Sequence, residues 1–251
     1  LIDWTRVAPD RLVPVMATPF WDVAAAVAEI ERCAARGHRA VLFCGEPEAL
    51  GQPPLAHRHW DPVWAAAQDA GLSISLHIGG GAQLGSQLFA DPAGMGVRTF
   101  FARTAAVYFL ENATRITDLI FGGVCHRFPR LRFVSVESGA GWVPSVLDAL
   151  DWQWQNGGVR REHPEYDLLP SEYFRRQIYG CFWFERQGIR TALELFPDNL
   201  LYETDFPHPT CMAPGPQSHA AQRPRRYAER ALAGLPEPTL RKGLHDNAAA
   251  L

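Results

Sequence analysis

The stretch LLYETDFPHPT, residues 200–210, has the pattern of a short buried strand that ends on acidic side chains. Its apolar start is followed by Glu203 and Asp205, and then by His208 between two prolines. A plain surface turn can have this composition, and so can the mouth of an active site. The organisation of the rest of the chain decides between these two interpretations.

Short apolar strands alternate with helices along the whole sequence. The predicted strands are 11–18, 40–45, 73–79, 131–139, 176–184 and 199–204. The predicted helices are 22–37, 61–71, 98–121, 143–155 and 188–196, and the C-terminus also has a helical pattern. This alternation predicts βαβ units and a parallel sheet. Successive residues of the strands are apolar, which is typical of strands buried on both faces.

Polar side chains end most of the predicted strands. They include Glu46, His77, Glu137 and Asp205. An open doubly wound sheet concentrates its site at one switch point of the strand order. A closed barrel gathers the carboxyl ends of all its strands around one mouth. The pattern therefore favours a TIM-type (β/α)8 barrel over an open sheet.

Composition narrows the class of protein. The chain has 251 residues, of which 47% are hydrophobic and 20% charged, so we expect a sizeable core. A net charge of -3 with interspersed signs speaks against a nucleic-acid partner. The five cysteines are scattered and form no CxxC pair, which favours the reducing cytoplasm. No apolar run reaches the roughly 20 residues of a membrane-spanning helix, so we expect no membrane partner.

Three strand ends carry groups that can bind a metal or transfer a proton. In a parallel barrel, His77, Glu137 and Asp205 can converge although about 60 residues separate each from the next. Imidazole and carboxylate are good ligands for Zn²⁺ and similar ions. Taken singly, each residue has a simpler interpretation: a hydrogen-bonded structural histidine, a turn-forming acid or a loop residue such as His208. Trp142, at the start of a helix, has the ordinary role of a core or interface residue.

The combination of motifs is more specific than its parts. The segments LSISLHIG (72–79), HRFPRLRFVSVESGAGWVPSVLDALDW (126–152), NLLYETDFPHP (199–209) and HDNAAAL (245–251) occur in this order. Together they resemble the amidohydrolase-related (amidohydrolase 2) family, which includes the aminocarboxymuconate semialdehyde decarboxylase-like enzymes. The resemblance implies a (β/α)8 barrel with a divalent metal, zinc being expected and manganese or iron the alternatives. It also implies that His77 is a metal ligand and that Asp205 is both a ligand and the catalytic base.

Two features depart from the family pattern. The metal motif of the first barrel strand is absent, so the six predicted strands correspond to strands 3 to 8. Residues 1–251 are then a single barrel domain without its N-terminal strands. We expect further residues or a partner copy, as in a homodimer, to cover the two open sheet edges. The second departure is Glu137, which stands where the decarboxylase-like members place a histidine.

The function expected from the sequence is metal-dependent hydrolysis of a small carboxylated or aromatic substrate. Metal-bound water would be the nucleophile, Asp205 and Glu137 the catalytic residues, and His208 and Trp142 the substrate contacts. Non-oxidative decarboxylation is the first alternative, with the metal holding the substrate carboxylate. A truncated, non-catalytic barrel is the second.

Overall fold

The computed structural model describes residues 1–79, 94–208, 211–212 and 223–251. The chain divides into two compact units, residues 1–135 and residues 136–251. Each unit is described by itself below. The expectation that residues 1–251 form a single barrel domain stays a prediction.

The first unit carries four strands and six α-helices in its described residues. The strands are β1 (Val15–Ala17), β2 (Ala40–Phe43), β3 (Ser73–His77) and β4 (Phe133–Val136), the last of which ends at the boundary of the unit. The helices are α1 (Ile2–Thr5), α2 (Val23–Ala35), α3 (Asp61–Asp69), α4 (Val97–Tyr108), α5 (Glu111–Phe121) and α6 (Val124–Arg127), with 3₁₀ turns at Pro47–Leu50 and Arg58–Trp60.

The strands of this unit lie in chain order and run parallel. Val15 of β1 pairs with Ala40 of β2, and Ala40 pairs with Ser73 of β3. Beside β3, the Ile74 amide donates to the carbonyl of Arg132, the residue before β4. The predicted alternation of helices and parallel strands is therefore confirmed, and every predicted strand is present.

Two predicted elements of the first unit differ from the structure. The first strand begins only at Val15, after Pro14, which has no N–H to donate to a sheet ladder. The helix predicted over 98–121 is two helices, α4 and α5, separated by Phe109 and Leu110. The Leu110 amide bonds to the Val107 carbonyl, three residues back, which closes a tighter turn before α5 begins.

An aromatic cluster forms the core of the first unit. The Phe43 ring lies 5.2 Å from Trp60 and 4.8 Å from Trp64, and Trp64 lies 5.9 Å from Phe133, all edge to face. Trp60 and Trp64 are fully buried. The cluster links the 3₁₀ turn and α3 to β2 and β4, and edge-to-face pairs add about 0.5–1.5 kcal/mol each beyond area burial.

The second unit repeats the alternation with two strands of its own. These are β5 (Ile178–Phe182) and β6 (Leu200–Tyr202), which pair in parallel with Gly180 opposite Leu200. Its helices are α7 (Val143–Asn156), α8 (Val159–Glu162), α9 (Pro170–Gln177), α10 (Gly188–Leu195), α11 (Pro224–Ala231), α12 (Glu237–Arg241) and α13 (Asn247–Ala250), with a π-helical turn at Lys242–Asp246. The Asn199 side chain fixes the start of β6, because its amide donates to the carbonyls of Phe174, Arg175 and Ile178.

Candidate metal and proton-transfer site

Two acidic residues at strand ends have an unusual backbone conformation. Glu137 follows β4 with φ 60°, and Asp205 lies three residues beyond β6 with φ 55°. The left-handed region costs a residue with a Cβ roughly 1–2 kcal/mol, although aspartate tolerates it better than glutamate. Such strain persists only where the surrounding structure holds it, and it concentrates at functional sites.

The two carboxylates and one imidazole form a compact cluster within the second unit. The Nδ1 atom of His208 lies 3.2 Å from Oδ2 of Asp205 and 4.0 Å from Oε1 of Glu137. The turn is closed by the His208 amide, which donates to the Asp205 carbonyl over 2.8 Å. Glu137 is only 8% exposed, whereas the His208 side chain is 44% exposed. The cluster therefore has a buried acidic side and an imidazole open to solvent.

This donor set fits a divalent cation. One ligand atom from each of Glu137, Asp205 and His208 lies within 4.8 Å of the others. Zn²⁺ accepts imidazole and carboxylate ligands, and carboxylates also suit Mn²⁺. The sequence singled out all three residues, but it placed His208 as a substrate contact rather than beside the two acids.

Glu203 extends the acidic side of the cluster and was given no role by the sequence. Its Oε1 accepts a hydrogen bond of 3.1 Å from the Glu137 amide. Burial raises the pKa of Glu203 from 4.5 to about 8, and the charges of Asp205 and Glu137 act in the same direction. A hydrogen bond with Cys181 acts against them. The cluster thus holds three acids at close quarters, which favours either a cation or a retained proton.

Trp142 contributes to the loop that follows β4. Its indole N–H donates to the Ser138 carbonyl over 3.1 Å. The side chain is half-buried, so the ring braces the turn that carries Glu137. Its role as a substrate contact stays a prediction.

His77 ends β3 in the first unit and is exposed. Its Nδ1 lies 2.6 Å from the carbonyl oxygen of Ile78. A carbonyl can only accept, so this contact assigns the proton to Nδ1 and leaves the lone pair on Nε2. That tautomer suits a metal ligand, whose second ring nitrogen donates to a backbone carbonyl in many sites.

Helix α5 holds the backbone on both sides of His77. The carboxylate of Glu111 accepts a 2.9 Å hydrogen bond from the Gly79 amide. The side-chain amide of Asn112, which is 1% exposed, donates to the Leu76 carbonyl over 2.8 Å. The first turn of α5 therefore fixes the end of β3. His77 belongs to the first unit and the Glu137 cluster to the second, so the predicted ion shared between His77 and Asp205 stays a prediction.

A cavity of about 460 Å³ opens at the carboxyl ends of β1, β2 and β3. Ala17, Phe20, Leu42, Phe43 and His77 are among the residues that line it. Pockets for small molecules have volumes of roughly 300–1,000 Å³ and mostly apolar walls with a few polar groups. The cavity has the size and the lining for a small ligand with an apolar ring.

Comparison with known proteins identifies the family. The profile of the amidohydrolase family matches residues 1–251, and the chain belongs to this family. The resemblance found in the sequence is therefore confirmed. No helix in the described ranges is long and apolar enough to cross a membrane.

A curated relative and two solved structures illustrate the likeness. The chain is 26% identical over 216 residues to a gamma-resorcylate decarboxylase of Rhizobium sp. (strain MTP-10005), a match that covers 79% of this chain and 61% of the relative. It is 23% identical, with a TM-score of 0.71, to 5-carboxyvanillate decarboxylase LigW of Sphingomonas paucimobilis, over 99% of this chain and 69% of that one. It is 16% identical, with a TM-score of 0.74, to the 5-carboxyvanillate decarboxylase LigW2 of Novosphingobium aromaticivorans with bound manganese and 3-methoxy-4-hydroxy-5-nitrobenzoic acid, over 100% of this chain and 68% of that one.

These matches confirm the predicted fold class, which is the (β/α) barrel type of the amidohydrolase family. The described residues contain six strands of this fold. The chain spans about three fifths of the length of the curated relatives that it matches. The family is one of metal-dependent hydrolases and carboxy-lyases, and the relatives named above are carboxy-lyases. They favour the decarboxylase alternative over the hydrolase that the sequence placed first.

Proposed function

We propose that the protein is a metal-dependent, non-oxidative decarboxylase of a small aromatic carboxylic acid. The observation that carries the proposal is the cluster of Glu137, Asp205 and His208 in a chain whose named relatives are decarboxylases. Hydrolysis by the same site is less well supported, because the curated relatives that the chain matches are gamma-resorcylate decarboxylases. Both activities need a divalent ion, so the distinction lies in the bond that breaks.

The cluster supplies the groups that this reaction needs. Asp205 and His208, with Glu137 beside them, would hold the divalent cation. His77 stays the ligand that the family resemblance implies. The cation would supply positive charge that binds the substrate carboxylate and stabilises the negative charge of the transition state. Manganese is favoured by the manganese-bound neighbour, and zinc remains the expectation from the sequence.

The protein's own carboxylates would transfer the proton to the substrate. Decarboxylation breaks the bond between the ring carbon and the carboxyl group, which leaves as carbon dioxide while the electron pair stays on the ring. A proton must then reach that carbon. We propose that Asp205 takes a proton from solvent water, delivers it to the ring carbon and is left as a carboxylate, with Glu137 as the neighbouring acid or base. The His208 side chain lies 3.2 Å from Asp205 and is 44% exposed, so solvent water can approach this part of the cluster.

The cavity of the first unit, considered by itself, has the size for a small substrate. A volume of about 460 Å³ with Phe20 and Phe43 in its lining suits a single substituted benzene ring. Trp142 and His208 are proposed as further substrate contacts, as the sequence indicated. The cytoplasmic location, which the cysteine pattern favours, and the homodimer also stay proposals.

The direct test identifies the product that the protein forms from an aromatic carboxylic acid. Full-length protein is stripped of metal with a chelator, reloaded with Mn²⁺ or Zn²⁺, and incubated with gamma-resorcylate or 5-carboxyvanillate in D₂O. We expect the decarboxylated phenol, with one deuterium at the ring carbon, detected by chromatography and mass spectrometry.

Two variants sharpen this test. Asp205→Asn cannot carry the proton, so its turnover should fall by at least about 100-fold. Asp148→Asn, at an exposed position on α7, should match the wild type. Cleavage of a benzoate ester or amide without any decarboxylation would instead favour hydrolysis.

A further inference from the structure

One carboxylate of the second unit, that of Glu185, accepts four backbone hydrogen bonds. Its Oε1 accepts from the amides of Ala140 at 2.5 Å and Gly141 at 3.2 Å. Its Oε2 accepts from the amides of Trp183 and Phe184, both at 3.2 Å. Glu185 therefore ties the loop after β5 to the loop after β4, 45 residues earlier. Backbone N–H groups bonded to a charged carboxylate form strong hydrogen bonds.

The loop after β4 is shaped around this carboxylate. Gly139 has φ 65°, and a Cβ there would lie 2.6 Å from Oε1 of Glu185. A Cβ on Gly188, the first residue of α10, would lie 3.0 Å from both Cα and O of Gly141. The two loops thus approach more closely than residues with side chains would allow. The loop after β4 is the segment that starts with Glu137.

The backbone of Glu185 is itself held by a residue of another helix. The hydroxyl of Tyr227 on α11 donates to the Glu185 carbonyl over 2.7 Å, and Tyr227 is 1% exposed. The backbone of Glu185 is therefore held by a bond from a separate helix. A rigid support of this kind can hold a neighbouring loop in a conformation that it would otherwise leave.

We propose that Glu185 is a positioning residue that holds Glu137 in its orientation toward Asp205 and His208. Glu137 has a left-handed backbone that disfavours glutamate, and such a conformation persists only where neighbouring contacts over-determine it. Glu203 holds the Glu137 amide, and Glu185 holds the amides three and four residues further on. This inference rests on the proposed metal site and deepens it. Glu185 acts through backbone amides and does not contact the cluster itself.

The test is a double-mutant cycle on metal affinity. In Glu185→Gln an amide NH₂ replaces one acceptor oxygen, so one pair of backbone N–H groups meets a donor. Mn²⁺ titrated calorimetrically into the metal-free full-length protein should bind about 10–100-fold more weakly to this variant, the range for residues that orient metal ligands. With Glu137→Gln already present, Glu185→Gln should weaken Mn²⁺ binding by less than about 2-fold, because the two residues act through one group.

Controls separate positioning from general stability. Glu194→Gln, at an exposed position on α10, should bind Mn²⁺ as the wild type does. Circular dichroism tests whether each variant is folded. If Glu185→Gln fails to fold, Glu185→Asp replaces it, because the shorter side chain of aspartate cannot reach both pairs of amides. Equal and additive losses in the two backgrounds, or wild-type affinity in a folded Glu185 variant, would overturn the positioning role alone. A wild-type protein that binds no Mn²⁺ would overturn the metal site and this role with it.

Discussion

Asn112 offers a quantitative test of how α5 supports the end of β3. Its side-chain amide is 1% exposed and donates to the Leu76 carbonyl, one residue before His77. Asn112→Ala removes the donor while the carbonyl stays buried. An unsatisfied buried polar group costs about 1–3 kcal/mol, so we expect a loss of about that size in the free energy of unfolding.

The chain provides a matched control at the end of α7. The side-chain amide of Asn156 donates to the Trp152 carbonyl over 2.8 Å, the same distance, but at an exposed position. In Asn156→Ala water can replace the lost donor, so the change should stay within about 0.5 kcal/mol. The two bonds share residue type, bond type and bond length, and they differ in burial.

Urea unfolding followed by circular dichroism measures both variants. The Asn112→Ala midpoint should fall while the slope m stays unchanged, since the surface exposed on unfolding hardly changes. The Mn²⁺ affinity of Asn112→Ala should also fall if His77 is a ligand, because its backbone support is lost. Equal stabilities of Asn112→Ala and Asn156→Ala would refute the idea that this bond fixes the end of β3.

Two further predictions concern packing and thiol chemistry. Gly122→Ala should destabilise the fold by about 1–3 kcal/mol in urea unfolding, because a Cβ there would lie 2.2 Å from the Ala56 Cβ. The control Gly45→Ala, whose Cβ would meet only Arg115 Cγ at 3.8 Å, should destabilise the fold much less. Equal losses in the two variants would contradict the packing argument. Burial raises the pKa of Cys44 from 9.0 to about 11, so less of its thiolate is present at pH 8. Iodoacetamide should therefore modify Cys44 about 100-fold more slowly than a thiol of ordinary pKa. Rapid labelling of Cys44, measured by mass spectrometry, would contradict this prediction.

Much of the fold follows from local patterns in the sequence. Apolar runs such as 73–79 identify strands, because residues buried on both faces of a parallel sheet leave a continuous signal. The side chains at strand ends, including Glu137 and Asp205, were also found from the sequence, since parallel strands place such residues at one edge. The break between α4 and α5 was missed, because helix propensity continues through Phe109 and Leu110.

The supporting contacts of the site could not be predicted. Glu203 lies in a quoted motif, but its burial depends on how the chain turns after β6. Glu185 lies in an unremarkable loop, and two of its four backbone partners are amides 44 and 45 residues earlier, which carry no sequence signal. His208 was recognised, yet its place beside Asp205 depends on the local turn.

The central claim, that Glu137, Asp205 and His208 hold a divalent ion, is tested most directly by crystallography. Crystals of the full-length protein grown with Zn²⁺ would be measured at the zinc absorption edge. The account predicts an anomalous peak about 2.0–2.2 Å from a carboxylate oxygen of Asp205 and from a ring nitrogen of His208, with Glu137 facing the same ion. A fully occupied peak elsewhere in the molecule, with Asp205 and His208 bound to no ion, would contradict it.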